Sequence, residues 1–266
     1  MYTTTTSPSN TMTVLGIDVH SMRMPQVLDI CSDCIESRTP LLLGVVNVAK
    51  AIKMRKDPQL RESVCGADLV LADGAGIILL SRLKGQPLPE RVTGIDLMYN
   101  LMRLADYRQY RVYFLGAKQD VVAKVVDHTR SYYPGLQIAG YHDGYFSNDK
   151  EEQVAHDIRD SKADILFVAM TSPKKENFLN QWRQVMDVPI CHGVGGSFDI
   201  VAGRTKRAPI WMQNAGMEWL YRVYQEPGRM WKRYLVTNSV FFLLGTREII
   251  AARTGRLLRM PHRTKT

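Results

Sequence analysis

One aspartate, Asp73, stands where a short aliphatic run, Ala67 to Ala72 (ADLVLA), gives way to Gly74 and Gly76. The run is brief, aliphatic and bounded by turn residues, so it reads as a buried strand of a parallel sheet. Ile77 to Lys84 then resumes at helical spacing. An acid at the carboxyl end of a strand, just ahead of a helix, lies where open α/β sheets hold their ligands. The same position also suits a helix cap. A second pattern, Gly193-Val-Gly195-Gly196-Ser-Phe-Asp199, follows another strand and offers a glycine turn and helix start of the kind that receives phosphate. The third glycine of a dinucleotide fingerprint would fall on Phe198, and no Walker Lys-Ser/Thr follows, so NAD binding and ATP hydrolysis are poorly matched. A tight turn around a packed Phe198 is the plain alternative. No DxD-like pair follows a strand, so no metal and no cofactor is expected. A diphosphate would have to be neutralised by Arg and Lys instead, and Arg222, Arg229, Lys232 and Arg233 stand at helix-compatible spacings for it. Each alone reads equally as a solvated surface charge.

The charge is unevenly distributed. Of a net +9 over 266 residues, Gly203 to Thr266 carries 13 Lys/Arg against Glu218, Glu226 and Glu248, a local +10 that leaves −1 on the rest. Trp211, Trp219, Trp231, Tyr234 and the apolar run Val240 to Leu244 lie among those cations. The combination suits an anionic membrane surface, a phosphate-bearing ligand or nucleic acid, and composition does not separate the three. Cys31, Cys34, Cys65 and Cys191 include one CxxC with no second pair or nearby His to complete a zinc set, so reduced thiols are expected. Met1 to Met12 is Thr/Ser-rich and lacks the apolar core of a signal peptide, which points to a disordered start of a cytoplasmic protein.

The elements that must position these residues alternate. Val14 to Val19, Leu41 to Val48, Arg111 to Gly116, Gln137 to Tyr141, Asp164 to Met170 and Pro189 to Val194 read as strands. Between them lie helical segments, among them Ala49 to Val64 with a break at Asp57-Pro58, a helix capped at Thr93 with Asp96 behind it, and one opened by Thr171-Ser172-Pro173. This pattern predicts an α/β fold, a Rossmann-like doubly wound and mostly parallel sheet with helices on both faces. From Pro209 onwards strand signals cease, and Pro209 to Gln225 and Pro227 to Arg253 read as helices of a basic C-terminal appendage. The expected division is therefore a disordered 1–12, a catalytic 13–208 and a membrane-associating 209–266. Leu235 to Leu244 falls short of the roughly 20 apolar residues of a membrane span, so none is expected.

Several stretches together resemble glycosyltransferase family 26, the WecG/TagA/CpsF group. They are VNVAKAIKMRKDPQLRESVCGADLVLADGAGI, LPERVTGIDL, VYFLGAK, ADILFVAMTSPKKENF, VGGSFDIVAG, RAPIW and GMEWLYRVYQEPGRMWKRYL, in order over residues 14 to 245. The resemblance implies an inverting transfer of a sugar from a UDP-activated donor to a polyprenyl-diphosphate-linked acceptor, beside an anionic membrane surface and without nucleic acid. It places the enzyme peripherally on the inner face of the plasma membrane and leaves the oligomeric state open, a homo-oligomer included. By motif, Asp73 would be the general base that takes the acceptor hydroxyl's proton, while Asn47 of VVN and Arg91 of PERVTG would contact donor or acceptor. Arg222 of EWLYR and Arg229 of EPGR match tail arginines, with Lys232 a third basic position, and Gly195-Gly196 would help hold the departing diphosphate. In place of the family's frequent Thr and Gln, this chain has Val45 and Lys175, and both changes touch the implied sugar pocket. They tilt the expectation toward a plain hexose such as glucose, in exopolysaccharide synthesis of the xanthan kind. The alternative is N-acetylmannosamine or its uronic acid for teichoic-acid or common-antigen polymers. A nucleic-acid binder and a catalytically idle partner in polysaccharide assembly are the remaining classes.

Overall fold

The computed structural model describes residues 10–258, less the side chains of Arg229, Arg253 and 255–258. The chain opens with an antiparallel hairpin, β1 (Thr11–Val14) and β2 (Ile17–His20), followed by α1 (Met24–Glu36). Then come β3 (Leu41–Val46), α2 (Val48–Met54), α3 (Pro58–Cys65), β4 (Leu69–Ala72), α4 (Ala75–Leu83) and α5 (Gly94–Arg108). The second half runs β5 (Arg111–Gly116), α6 (Gln119–Tyr132), β6 (Gln137–His142), α7 (Glu151–Asp160), β7 (Ile165–Ala169), α8 (Lys174–Met186), β8 (Ile190–Gly193) and α9 (Ser197–Val201). Three helices close the described chain: α10 (Ile210–Asn214), α11 (Glu218–Gln225) and α12 (Pro227–Leu258).

Strands β3 to β8 form one parallel sheet in the order β4-β3-β8-β7-β5-β6. Successive side chains of a strand point to opposite faces. Leu41, Leu43 and Val45, with Ile165 and Phe167, therefore enter one core against α1, α5, α6 and α9. Leu42, Leu166 and Val168 enter the other, against α7 and α8. Both faces are covered, which is why these strands read as continuous apolar runs, and the doubly wound expectation holds. A third cluster lies at the β4 end, where the hairpin, α2, α3 and α4 pack together and Val240, Phe241, Leu244 and Ile249 of α12 join them. Cys31 and Cys34 lie one turn apart on α1, buried in the first core with free thiols.

Four expectations need correction. Val14 to Val19 is not one strand: Leu15 (φ 50°) and Gly16 (φ 71°) both take positive φ and turn the chain into a two-residue hairpin. The hairpin starts at Thr11, inside the stretch expected to be disordered, while residues 1–9 lie outside the described residues. Pro209 to Gln225 is not one helix, because Gly216 (φ 72°) breaks it between α10 and α11. Finally, Met230–Ala252 of α12, 23 residues at mean hydropathy 1.3, is long and apolar enough to cross a membrane by length and composition. Leu235 to Leu244 alone falls short because Lys232 and Arg233 on one side and Arg247 and Glu248 on the other separate it from the apolar residues at either end of the longer segment.

Candidate active site

The sheet register brings the first two candidates together. Val46 pairs with Ala72, so Asn47 and Asp73 leave adjacent strand ends side by side, and the Asp73 N–H donates to Val46 O at 2.8 Å. Asn47 caps α2, its Oδ1 accepting from the Lys50 N–H at 3.0 Å, and that bond turns its Nδ2 toward Asp73 Oδ2 at 3.4 Å. Such a cap is worth about 1 kcal/mol to its helix, so one side chain both starts α2 and contacts the carboxylate. Asp73 itself caps nothing, since Gly74 (φ 130°) is the N-cap of α4 and supplies no side chain. Burial pushes the Asp73 carboxyl above its ordinary value, against the Asn47 hydrogen bond and the positive charges of Arg222 and Lys50, while Glu218 adds to the rise. A carboxylate desolvated in this way holds a proton more tightly than an exposed one, the property a general base requires.

Behind Asp73 lies a buried charge cluster that sequence reasoning caught only in part. Glu176, the third residue of α8, accepts at Oε1 from Lys50 Nζ (3.2 Å) and lies 3.4 Å from Lys175 Nζ. The Lys175 stem lies over Gly193, where an added Cβ would meet its Cδ and Cε at 2.8 Å, and its ammonium faces the Gly195 turn. Burial, then the neighbouring Lys50 charge, pulls Lys175 down to about 8, with Glu176 and Asp73 acting in the opposite sense. Burial also opposes ionisation of Glu176, yet the two lysines outweigh it and hold that carboxyl below its usual value. His192 of β8, unremarked in the sequence, is fully buried, with Nε2 3.0 Å from Gly94 O and its pKa driven down to about 4 by burial. It is a neutral core residue. Gly195 takes φ 54°, and a Cβ at Gly196 would meet nothing within 4 Å, so this turn leaves open space beside Lys175.

The C-terminal helices reach the same end of the sheet. Arg91 is held by Glu218 of α11, Nη1 to Oε2 at 2.9 Å, rather than standing free. Arg207 grips Asp96 with both terminal nitrogens (2.6 and 2.9 Å) and lies 3.5 Å from the other Glu218 oxygen. Thr93 donates to Asp96 Oδ2 at 2.6 Å and accepts from its N–H, so the capping of α5 and this ion cluster share one carboxylate. Arg222 is exposed one helical turn beyond Glu218, with its charge bearing on Asp73. Lys232 is exposed on α12 with Nζ 5.7 Å from the Trp231 ring centre. Arg229 stands on the first turn of α12, and its side chain lies outside the described residues. At Gly76 a Cβ would strike Val48 Cγ2 at 2.5 Å and lie 3.5 Å from Phe241, so α2, α4 and α12 converge directly behind Asp73. Among the described residues no group of three His, Cys, Asp or Glu is placed to hold a metal ion.

A family model for the glycosyl transferase WecG/TagA/CpsF family matches residues 12–255. Two relatives bear the name N-acetylglucosaminyldiphosphoundecaprenol N-acetyl-beta-D-mannosaminyltransferase. The one from Bacillus spizizenii (strain W23) is 38% identical over 180 residues, covering 68% of this chain and 69% of that protein. The one from Bacillus subtilis (strain 168) is 35% identical over 201 residues, covering 76% and 77%. With the match running from the hairpin through α12 and across every residue of the Asp73 site, the chain belongs to the WecG/TagA/CpsF family of glycosyl transferases.

Proposed function

We propose that this protein transfers an N-acetylmannosaminyl group from a UDP-activated donor to a polyprenyl-diphosphate-linked N-acetylglucosamine, with inversion at the anomeric carbon. The observation that carries the chemistry is the Asp73 carboxylate: desolvated, hydrogen-bonded among the described residues only through the long Asn47 contact, and placed where two strand ends open toward α11. Asp73 takes the proton of the acceptor hydroxyl as that oxygen attacks the anomeric carbon, and the bond to UDP breaks on the opposite face. Arg222 and Lys232, with Arg229 by its place on α12, meet the charge that grows on the leaving diphosphate, and the Gly195-Gly196 turn leaves room for it. Asn47 fixes the base, and the Lys175 ammonium faces the turn.

The relatives' names support N-acetylmannosamine over the plain hexose suggested by Val45 and Lys175. The local packing gives those two departures less weight. Val45 is buried with Cγ2 against the start of α5, 3.6 Å from where a Gly94 Cβ would sit, and the Lys175 ammonium is already engaged by Glu176. Leu235, Val236, Phe242, Leu243 and Ile250 of α12 are exposed on a helix whose other side packs on the fold. That outward face, with the +10 of the last 64 residues, supports a peripheral seat on the anionic inner face of the plasma membrane, where the lipid acceptor resides. The deciding experiment incubates purified protein with UDP-N-acetylmannosamine, its uronic acid and UDP-glucose in turn. The acceptor is a short-chain prenyl-diphosphate N-acetylglucosamine, and product is followed by mass. Transfer from UDP-N-acetylmannosamine is the expected result, and transfer from UDP-glucose alone would reject the assigned donor.

A further inference from the structure

Four charged groups remote in sequence meet where the C-terminal helices touch the sheet domain: Arg91, Asp96, Arg207 and Glu218. Glu218 is the hub, with one oxygen on Arg91 and the other toward Arg207, which Asp96 in turn holds by both terminal nitrogens. Two cations and two carboxylates pair with one another, all partly screened from water. Nothing in the proposed transfer needs Glu218 to touch substrate. Yet it is the first residue of α11, and residues four apart share a helix face, so the geometry that fixes Glu218 also fixes Arg222. α11 carries no side-chain cap at its amino end, which leaves these ion pairs as its anchor to the loop before α5. The other end of the same joint is tight as well: Gly216 fits against Ala75 so closely that an added Cβ would lie 2.3 Å from Ala75 Cβ.

We propose that Glu218 is a positioning residue for the sugar transfer: by clasping Arg91 and Arg207 it seats α11 so that Arg222 is presented at the Asp73 end of the sheet, toward the departing diphosphate. The inference rests on the functional reading above for what Arg222 does. For where α11 sits, it stands on the ion cluster and the Gly216–Ala75 contact.

Asp73 reports the seating. The charged groups bearing on it are Lys50 on α2, Lys175 on α8, and Arg222 and Glu218 on α11, besides the Asn47 hydrogen bond. Loss of the Glu218 charge alone lowers the Asp73 pKa, whereas loss of the nearby Arg222 cation, which bears on it more strongly, raises it. The two consequences of Glu218→Gln therefore have opposite signs, and a merely electrostatic role is distinguished from a positioning one.

The experiment uses the full chain as wild type, Glu218→Gln and Glu218→Asp. The Asp73 titration is read by carboxyl 13C shift in the free protein, and kcat and KM for the donor are measured across pH. Glu218→Gln is expected to move the Asp73 titration and the acid limb of kcat to higher pH. It should lower kcat by about 10²-fold, the scale of an ångström-sized misplacement, with donor KM changed less than kcat. Glu218→Asp should recover part of both. A downward or absent shift of the Asp73 titration overturns the proposal, as does wild-type kcat in Glu218→Gln. Should Glu218→Gln not fold, wild-type values for both readouts in the shorter Glu218→Asp overturn it equally. The 13C titration needs no turnover, so a wild type that moves no sugar would reject the reaction while the titration still judges Glu218.

Discussion

At Asp73 the same burial shapes both reactivity and stability. The native carboxyl keeps its proton to a higher pH than in the unfolded chain, so between the ordinary value of 3.8 and the raised native one the folded state binds more protons and stability falls as pH rises. Once ionised, the carboxylate is therefore a liability to the fold. Asp73→Asn should lower turnover by about 10²–10⁴-fold, the usual loss on removing a general base, while leaving the melting temperature at pH 7 equal or higher. Equal turnover in the variant would remove Asp73 from the mechanism. In the wild type, kcat should fall as pH drops through the raised Asp73 value, above the range of an exposed aspartate; an acid limb at the ordinary value would contradict the burial argument. A separate expectation concerns metals. With Lys50, Lys175 and Arg222 surrounding Asp73, activity should survive exhaustive EDTA treatment, and loss reversed specifically by magnesium or manganese would show that the diphosphate needs a metal clamp. At this scale the sequence disclosed the residues whose neighbours are local: Asp73 behind its strand, Asn47 at a strand end, Thr93 and Asp96 at a helix start. It concealed the partners that meet only through the fold. Lys50 and Glu176 are 126 positions apart, Arg91 and Glu218 are 127 apart, and no periodicity connects them.

Among the elements, those with a plain hydrophobic period and a turn at each end were legible. β5 and β7 fall within a residue or two of their expected limits and α5 starts at its expected cap, because buried parallel strands are continuous apolar runs and α5 has Thr93. The hairpin was not, since a leucine at positive φ gives no signal in sequence. The break between α10 and α11 was equally hidden, although Gly216 marked it, because a lone glycine within a helical pattern reads as a tolerated weakness. That glycine now has a reason. Its φ of 72° and its contact with Ala75 set the approach of α11 to the start of α4, next to Asp73. Gly216→Ala should lower stability by about 1–2 kcal/mol from the left-handed backbone alone, and lower turnover further by displacing α11. Adding Ala75→Gly opens the space and should recover part of the lost turnover without fully restoring the melting temperature. No recovery in the double variant would mean that the contact with Ala75 does not govern the site.

On the scale of the whole molecule, the last helix is both an internal wall and an outer face. Removing everything from Val240 would strip Phe241, Leu244 and Ile249 from the hairpin cluster and Glu248 from Lys84, so truncation is the wrong test of membrane docking. Substitution on the exposed side is cleaner. Phe242→Ser with Leu243→Ser touches side chains already 73% and 68% exposed, and should leave both melting temperature and turnover of a water-soluble acceptor unchanged. Burying such a pair in a bilayer is worth about 3–6 kcal/mol when complete, so even half of that burial predicts at least about a tenfold loss of affinity for anionic vesicles. Vesicle co-sedimentation over a salt series measures it, and undiminished binding would move the docking surface elsewhere.

The ammonium of Lys84 bonds to the carbonyl of Thr13 at 2.6 Å and to the carboxylate of Glu248 at 3.0 Å, so the first described strand and the last described helix are fastened at one point. The arrangement imposes an order on synthesis. The hairpin leaves the ribosome early, but the helix tied to it through Lys84 follows roughly 230 residues later, about 10 to 50 s at ordinary rates of elongation. Throughout that interval the sides of α2 and α4 on which α12 packs stay uncovered, and the hairpin beside them lacks its tie to Glu248, leaving the cluster open to chaperones and proteases. Stalled nascent chains ending before Pro227 should therefore be cleaved within the hairpin. Chains extended until Glu248 has cleared the exit tunnel should resist, and equal protection at both lengths would show that the hairpin closes without its distant partner.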